Sequence, residues 1–221
     1  ELQEEIPPAD VVVNPHQKDC PYPYKNLCGA GVAWKLVSAL WEQLGVPEQE
    51  LYEDLLLFAG FATVGDVMDL TGENRILVKE ALKLLKTTSH PCISALIEVN
   101  EISRETISAF HIGFVLGPCI NASGRLDTAK RALELLKTTD YEKALVKAAE
   151  LKALNDERKS MTDDGVQQAL DQIANSDMKG DRVLVIYLPD CHESLAGIIA
   201  GRIRERYYRP VFVLTRSQDR V

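Results

Sequence analysis

The stretch 183-VLVIYLPDCHESLAGIIAGRIRERYYRPVFVL-214 determines the expected fold class. Residues 183–188 form an uninterrupted apolar run, which predicts a buried strand, and residues 211–214 predict a second strand. Residues 194–208, which lie between them, predict a helix. A strand, a helix and a second strand within about thirty residues form a βαβ unit, which implies a parallel sheet. We expect this lobe to continue beyond the last residue, Val221.

The rest of the chain has mainly the apolar periodicity of helices. The predicted helices are 29–44, 49–62, 74–85, 103–114, 127–137 and 141–173. The last of them has a narrow apolar stripe with a polar stretch at 158–165, a pattern typical of a helix that connects two lobes. We also expect a short buried strand at 11–13, and a helix break at Gly117-Pro118 followed by a polar turn at 121–125.

The composition is that of a globular protein, since 46% of the 221 residues are hydrophobic and 26% are charged. The charge-free run 55–65 is too short to cross a bilayer, which takes about 20 residues, so we expect no membrane span. The five cysteines form no CxxC or Cys/His cluster. We therefore expect neither a zinc site nor a disulfide framework, and a reduced, cytoplasmic protein.

The formal net charge of −8 is unevenly distributed. Residues 1–60 contain 10 acidic and 3 basic side chains, whereas residues 179–221 contain 5 acidic and 8 basic ones. The acidic average argues against a protein that coats nucleic acid without specificity. The basic end is compatible with a local basic groove, or with arginines that only solvate a helix.

Asp66 is the first candidate functional residue, because it directly follows eleven residues without a charge. We expect this carboxylate to be buried among apolar neighbours, where it needs a compensating partner. A metal ion, an arginine or the N-terminus of the following helix would each serve.

The second candidate is the segment Asn121-Ala122-Ser123-Gly124-Arg125. Asn121 and Arg125 have planar groups with several donors, and the guanidinium fork matches phosphate oxygens. The alternative is a helix-capping loop whose arginine pairs with a nearby acid.

The third candidate, 191–197, lies between a strand and a helix, where ligands collect in open parallel sheets. Ser194 offers its hydroxyl, and the exposed backbone N–H groups at the start of the helix favour an anion. His192 can donate to phosphate, and Gly197 lets another backbone or a ligand approach closely. A serine N-cap beside an incidental histidine is the alternative. Further along the helix, Arg202 with later arginines and tyrosines suits a single-stranded nucleic-acid groove.

Several motifs in this order resemble the RecJ exonucleases of the DHH phosphoesterase family. The resemblance spans almost the whole chain. The matching segments are Asn14-Pro15, Cys28-Gly29-Ala30-Gly31-Val32-Ala33, Ala62-Thr63-Val64-Gly65-Asp66-Val67, Gly117-Pro118, Ile120-Asn121-Ala122, Gly124-Arg125-Leu126, and His192 to Arg202 with Arg209-Pro210.

The resemblance implies a metal-dependent 5′→3′ exonuclease that acts on single-stranded DNA with two Mn²⁺ or Mg²⁺ ions. Two such ions would activate water and stabilise the leaving oxygen. Asp66 aligns with a metal-binding, catalytic aspartate. Asn121 and Arg125 align with a segment that contacts the strand or its end phosphate.

The resemblance also implies an α/β fold in three parts. Residues 1–115 would be the helix-rich later part of a DHH domain, residues 116–178 a nucleic-acid-contacting turn with connecting helices, and residues 179–221 the start of a DHHA1-type lobe. His192, Ser194, Gly197 and Arg202 fall in that lobe, which grips DNA in the family.

The chain departs from the family pattern in its metal ligands. The DxD, second aspartate and DHH motifs are absent, and Glu1 resembles the residue just after the DHH triplet. We therefore expect a fragment with little or no nuclease activity of its own. A DHH-family phosphatase or short-oligonucleotide hydrolase, and a non-catalytic nucleic-acid-binding module, are the alternative functions.

Overall fold

The computed structural model of the chain describes residues 8–45 and 49–216. Glu1, for which the sequence suggested a place after the DHH triplet, lies outside them. The elements in chain order are α1 (Gly29–Leu44), α2 (Gln49–Gly65), α3 (Gly72–Thr87), α4 (Pro91–Val99), α5 (Ala109–His111), a π-helical segment (Ile112–Leu116), α6 (Gly117–Leu126), α7 (Lys130–Leu136), α8 (Tyr141–Ala174), a 3₁₀ turn (Asp177–Gly180), β1 (Leu184–Tyr187), α9 (Glu193–Tyr207) and β2 (Val211–Leu214).

The chain divides into two compact units. Unit 1 comprises the residues up to Pro118 together with Thr138–Val146, and unit 2 comprises Cys119–Lys137 and the residues from Lys147 onward. Most of the described residues that have regular structure are helical, and the sheet is small and parallel. In the described residues no helix is both long enough and apolar enough to pass through a membrane.

In unit 1, α2 and α3 pack closely at Gly60. A Cβ built on Gly60 would lie 2.3 Å from the Ala81 Cβ and 2.9 Å from the Leu77 carbonyl oxygen, so only glycine fits there. Leu77, Ala81 and Leu85 form the buried stripe of α3, as its helical spacing predicts. Ile76, which the same spacing placed on the inward face, is exposed.

The expected buried strand at 11–13 is wrong. Residues 11–13 have no regular structure, and Val11 and Val13 are exposed. The only paired strands in the described residues are β1 and β2 of unit 2. An apolar run by itself does not make a strand without a neighbour to pair with.

The expected break at Gly117-Pro118 is also wrong, because the helical path continues from the π-helical segment into α6. The Gly117 N–H bonds to the Ile112 carbonyl, five residues back, and a Cβ on Gly117 would lie 2.7 Å from that oxygen. The wider π turn accommodates a proline that has no N–H to donate. Residues 121–125 are consequently helical and not a polar turn.

The βαβ unit of unit 2 is confirmed. β1 and β2 pair in parallel, with Leu184 opposite Val211 and Tyr187 opposite Leu214. One face of β1 packs against α9 and α8, whereas Val185 and Tyr187 are exposed on the other face, so the strand is buried on one side only. The predicted long helix is confirmed as α8, of 34 residues.

Close packing of α8 on α9 fixes the frame of unit 2. A Cβ on buried Gly165 would lie 2.5 Å from the Ile199 Cδ1 atom. The core around this contact contains Ala169, Ile173, Leu184, Ile186, Leu188, Leu195, Ile199 and Ile203. This frame positions the polar residues of α8 and the start of α9.

Candidate functional site

Arg125 and Ser194, two residues singled out from separate segments, are hydrogen-bonded to each other within unit 2. The Arg125 Nη1 atom donates to the Ser194 carbonyl at 3.3 Å, and the Ser194 hydroxyl donates to the Arg125 carbonyl at 3.1 Å. Arg125 lies in the last turn of α6 and Ser194 in the first turn of α9. The end of one helix is thereby tied to the beginning of the other.

His192 is the N-cap of α9 and belongs to the same cluster. Its Nδ1 atom accepts from the Ser194 N–H at 3.3 Å and lies 2.8 Å from the Ser194 Oγ atom. The cap is therefore the histidine and not the serine, which corrects the expectation of a serine N-cap. The Ser194 hydroxyl reaches Arg125 instead.

Arg158 of α8 lies close enough to Arg125 and Arg202 to interact with their charges, and it was missed as a site residue by the sequence reasoning. Burial, together with the positive charges of Arg125 and Arg202, lowers the pKa of the Arg158 guanidinium from its ordinary value. Its Nε atom donates to the Asn155 Oδ1 atom at 3.2 Å. Arg125 and Arg202 thus both lie close enough to Arg158 to disfavour its positive charge.

The signal for Arg158 was present in the polar stretch of α8. Asn155 and Thr162 are buried polar residues, and with Arg158 they fall at helical spacing on one face. The Thr162 hydroxyl donates to the Arg158 carbonyl at 2.8 Å. Polar residues are rarely buried, so a buried polar face on a helix is more informative than the composition of that helix.

Arg202 is held by an ion pair with Asp163 of α8. The negative charge of Asp163 also favours the charged form of Arg158. This effect is smaller than the opposite effect of the positive charges on Arg125 and Arg202. Among the described residues, Asp163 is the carboxylate that both pairs with Arg202 and acts on the charge of Arg158. The side chains of Arg202 and Asp163 are both well exposed, so the pair is accessible to solvent.

The remaining two residues predicted in unit 2 are also exposed. Asn121 lies one turn before Arg125 on α6, which places both on one helix face. Gly197 lies on α9, and a Cβ built there would meet no atom within 4 Å. Its expected close approach to another part of the chain is absent from the described residues, and the space before it is open.

Asp66 lies in unit 1 and is exposed, so the expectation of a buried carboxylate is wrong. The eleven uncharged residues before it belong to α2, whose end comes just before Asp66. The Met68 N–H bonds to the Thr63 carbonyl and the Val67 N–H to the Val64 carbonyl, which closes the helix in a Schellman motif. Val67 takes the left-handed position, with φ of 55°.

The donors present do not by themselves fit a metal ion. Within the described ranges, no group of three or more His, Cys, Asp or Glu side chains is arranged to hold one. Mg²⁺ and Mn²⁺ prefer several oxygen ligands. Asp66 therefore supplies at most one ligand of such a site.

The chain is similar in sequence to bacterial nucleases over nearly all its length. It is 35% identical over 229 residues to the single-stranded-DNA-specific exonuclease RecJ of Dickeya dadantii, covering 98% of this chain and 40% of that protein. The RecJ protein of Escherichia coli is 35% identical over 228 residues, covering 97% of this chain and 39% of that protein. The chain thus spans about two fifths of the length of these relatives. No protein-family model matches it.

Solved structures of RecJ proteins share the fold. A crystal structure of exonuclease RecJ bound to manganese matches with a TM-score of 0.82 and 33% identity, covering 97% of this chain and 53% of that chain. A crystal structure of RecJ from Thermus thermophilus in complex with Mg²⁺ matches with a TM-score of 0.76 and 33% identity, covering 88% of this chain and 30% of that chain. Over nearly its whole length, the chain is homologous to the RecJ single-stranded-DNA-specific exonucleases and corresponds to one part of them.

Proposed function

We propose that the cluster of Arg125, Arg158 and Arg202, with Ser194 and His192, binds phosphate groups of single-stranded DNA. The observation that carries this proposal is that Arg158 is half-buried and that its positive charge is disfavoured by the positive charges of Arg125 and Arg202. An anion placed among three guanidinium groups would relieve that repulsion and accept several charge-assisted hydrogen bonds. Asn121 and Gly197 would lie along the same strand.

The wider activity belongs to the same proposal. The relatives are named as single-stranded-DNA-specific exonucleases, which supports phosphodiester hydrolysis of single strands by a protein that includes this chain. The 5′ end as the starting point is proposed from the family resemblance of the motifs alone. In this assignment residues 1–115 are the later part of a DHH domain, residues 116–178 the connecting helices, and residues 179–221 the start of a DHHA1-type lobe. The cytoplasm is its proposed location.

Asp66 is proposed as a metal ligand on the strength of its motif and of relatives solved with Mn²⁺ and Mg²⁺. When bound in a complete site, such an ion supplies an activated water and stabilises the leaving oxygen. The described residues of this chain offer too few donors for that. We therefore expect the 221-residue chain to bind single strands and to hydrolyse little or none of them.

Binding and hydrolysis assays on the same sample test this proposal. We expect a 5′-phosphorylated oligothymidylate of about twenty nucleotides to bind more tightly than a duplex of equal length, with an affinity that falls as salt is added. Equal affinity for duplex and single strand, or no binding at low salt, would contradict the phosphate site. Robust turnover in the presence of Mn²⁺ would contradict the expected inactivity and leave the binding result unaffected.

A further inference from the structure

Unit 1 has a groove along α3 that the proposed function does not use. Its volume is about 550 Å³. The floor is aliphatic, formed by Leu70, Val78, Leu82 and Ile107. Leu70 is 39% exposed, so part of this apolar surface faces solvent.

Four cations lie along the groove. They are Arg75, Lys79, Lys83 and Lys86. Their spacing of four, four and three residues places them on one side of α3, over about 16 Å of helix. These four are half of the eight basic residues in the first 118 positions, which also contain 17 acidic ones. The groove is therefore a local basic surface on an acidic unit.

Most of this positive charge has no counterion in the described part of the chain. Lys83 pairs with Glu80 at 2.8 Å. Among the described residues, no carboxylate lies within ion-pair distance of Arg75, Lys79 or Lys86, and no acidic residue lines the groove. An apolar floor beside unneutralised cations is complementary to a ligand that is both apolar and acidic.

We propose that this groove is a docking site for an acidic peptide segment of another protein that also carries apolar side chains. The apolar side chains would cover the floor between Leu70 and Ile107, while carboxylates would pair with Lys79 and Lys86. The cationic edge matches three turns of helix or about five residues of extended chain. The floor has no aromatic ring on which a base could stack, which favours a peptide over nucleic acid.

Peptide selection tests this proposal. Random peptides displayed on phage would be selected on the whole chain with excess oligothymidylate present, and a selected peptide would then be titrated by fluorescence polarisation. We expect selected peptides to be rich in Asp and Glu with Leu, Ile or Phe between them. The double variant Lys79→Glu/Lys86→Glu should bind the selected peptide about tenfold more weakly or worse, because it replaces attraction by repulsion.

The matched control is Lys18→Glu/Lys137→Glu, which makes the same change in net charge at two exposed positions outside the groove. It should retain peptide affinity within about twofold. Leu70→Ser should reduce the affinity for the selected peptide several-fold and leave oligothymidylate binding unchanged. An absence of acidic enrichment, or an equal loss in both double variants, would overturn the proposal. So would a groove variant that loses oligothymidylate binding and retains peptide binding, since the groove would then be a nucleic-acid surface.

Discussion

Arg125 and Ser194 exchange two hydrogen bonds, each between a side chain of one residue and the backbone carbonyl of the other. They are 69 residues apart in sequence. The exchange holds the last turn of α6 against the first turn of α9 within unit 2, beside Arg158. The Arg125 side chain is therefore already held in place, so that less of its conformational entropy remains to be lost if a phosphate binds there.

Ser194→Ala should loosen this arrangement without unfolding the unit. The variant loses the hydroxyl that donates to the Arg125 carbonyl and contacts the His192 Nδ1 atom. A hydrogen bond of this kind contributes about 1 kcal/mol to stability. We expect affinity for a 5′-phosphorylated single strand to fall several-fold, as measured by fluorescence polarisation. Ser160→Ala, at an exposed position of α8, is the control and should bind like the parent. Equal affinity of both variants would show that the hydroxyl does not position the site.

Gly60→Ala should destabilise unit 1, because its Cβ would overlap the Ala81 Cβ and approach the Leu77 carbonyl. Overpacking of this kind costs about 1–3 kcal/mol of unfolding free energy. Both tryptophans, Trp34 and Trp41, lie in α1 of unit 1, so urea unfolding followed by tryptophan fluorescence reports on this unit.

Gly65→Ala in the same helix is the control for that substitution, since a Cβ there meets nothing within 4 Å. Its unfolding free energy should stay within about 0.5 kcal/mol of the parent. A Gly60 variant as stable as this control would mean that α2 and α3 do not pack as closely as described.

Lowering the pH should reduce the folding stability of unit 1, because Glu73 becomes protonated. Burial opposes the ionisation of this carboxyl, but hydrogen bonds from Lys35 and Tyr22 and the charge of Lys35 outweigh it, so the pKa of Glu73 lies below its ordinary value of 4.5. A lowered pKa in the folded state stabilises the protein above that ordinary value, and the contribution disappears as the pH falls through the folded-state pKa.

Glu73→Gln isolates that contribution. We expect the variant to be less stable than the parent at pH 7, with the difference shrinking toward pH 3, as measured by urea unfolding. Glu80→Gln serves as control, because Glu80 forms an exposed pair with Lys83 on the same helix and should change stability little at either pH. A difference that is constant from pH 7 to pH 3 would rule out titration of Glu73 as its cause.

Asp66→Asn should leave the stability of unit 1 unchanged within about 0.5 kcal/mol, because the side chain is exposed. The same substitution in a nuclease-active protein that contains this sequence should abolish cleavage with little effect on DNA binding. Thermal unfolding and a nuclease assay measure the two effects. Unchanged turnover would remove Asp66 from the proposed metal site.

The parts of the fold that follow from local periodicity could be predicted from the sequence. The bounds 29–44 of α1 agree with the predicted ones, and β1, α9 and β2 follow in the expected order with parallel pairing. In these elements the apolar spacing and the local terminating signals indicate the same structure.

The errors came from positions where the local backbone geometry, and not the residue composition, decides the outcome. Gly117-Pro118 has the composition of a helix break, but a π turn bonded to the Ile112 carbonyl lets the helical path continue. Asp66 follows an apolar run, yet the helix ends just before it and leaves the carboxylate in solvent. Sequence adjacency does not determine burial across a helix end.

The candidate residues of unit 2 could be found one by one, but not as a cluster. Arg125 and Ser194 were each singled out from their own segment, and only the fold brings them into contact. Arg158 stood in a recognisable polar stretch without a stated role. Its significance depends on the charges of Arg125 and Arg202, which come from distant parts of the sequence.

The central claim is that Arg158 binds phosphate, and its most direct test is the salt dependence of DNA binding. We expect Arg158→Ala to bind a 5′-phosphorylated oligothymidylate about tenfold more weakly, with a slope of log affinity against log salt that is shallower by about 0.7, the value for one lost single-strand phosphate contact. Lys159→Ala removes an exposed charge from the next position of α8 and should change affinity by less than about twofold. If Arg158→Ala is folded by circular dichroism and matches the Lys159 variant in both affinity and slope, the account is contradicted.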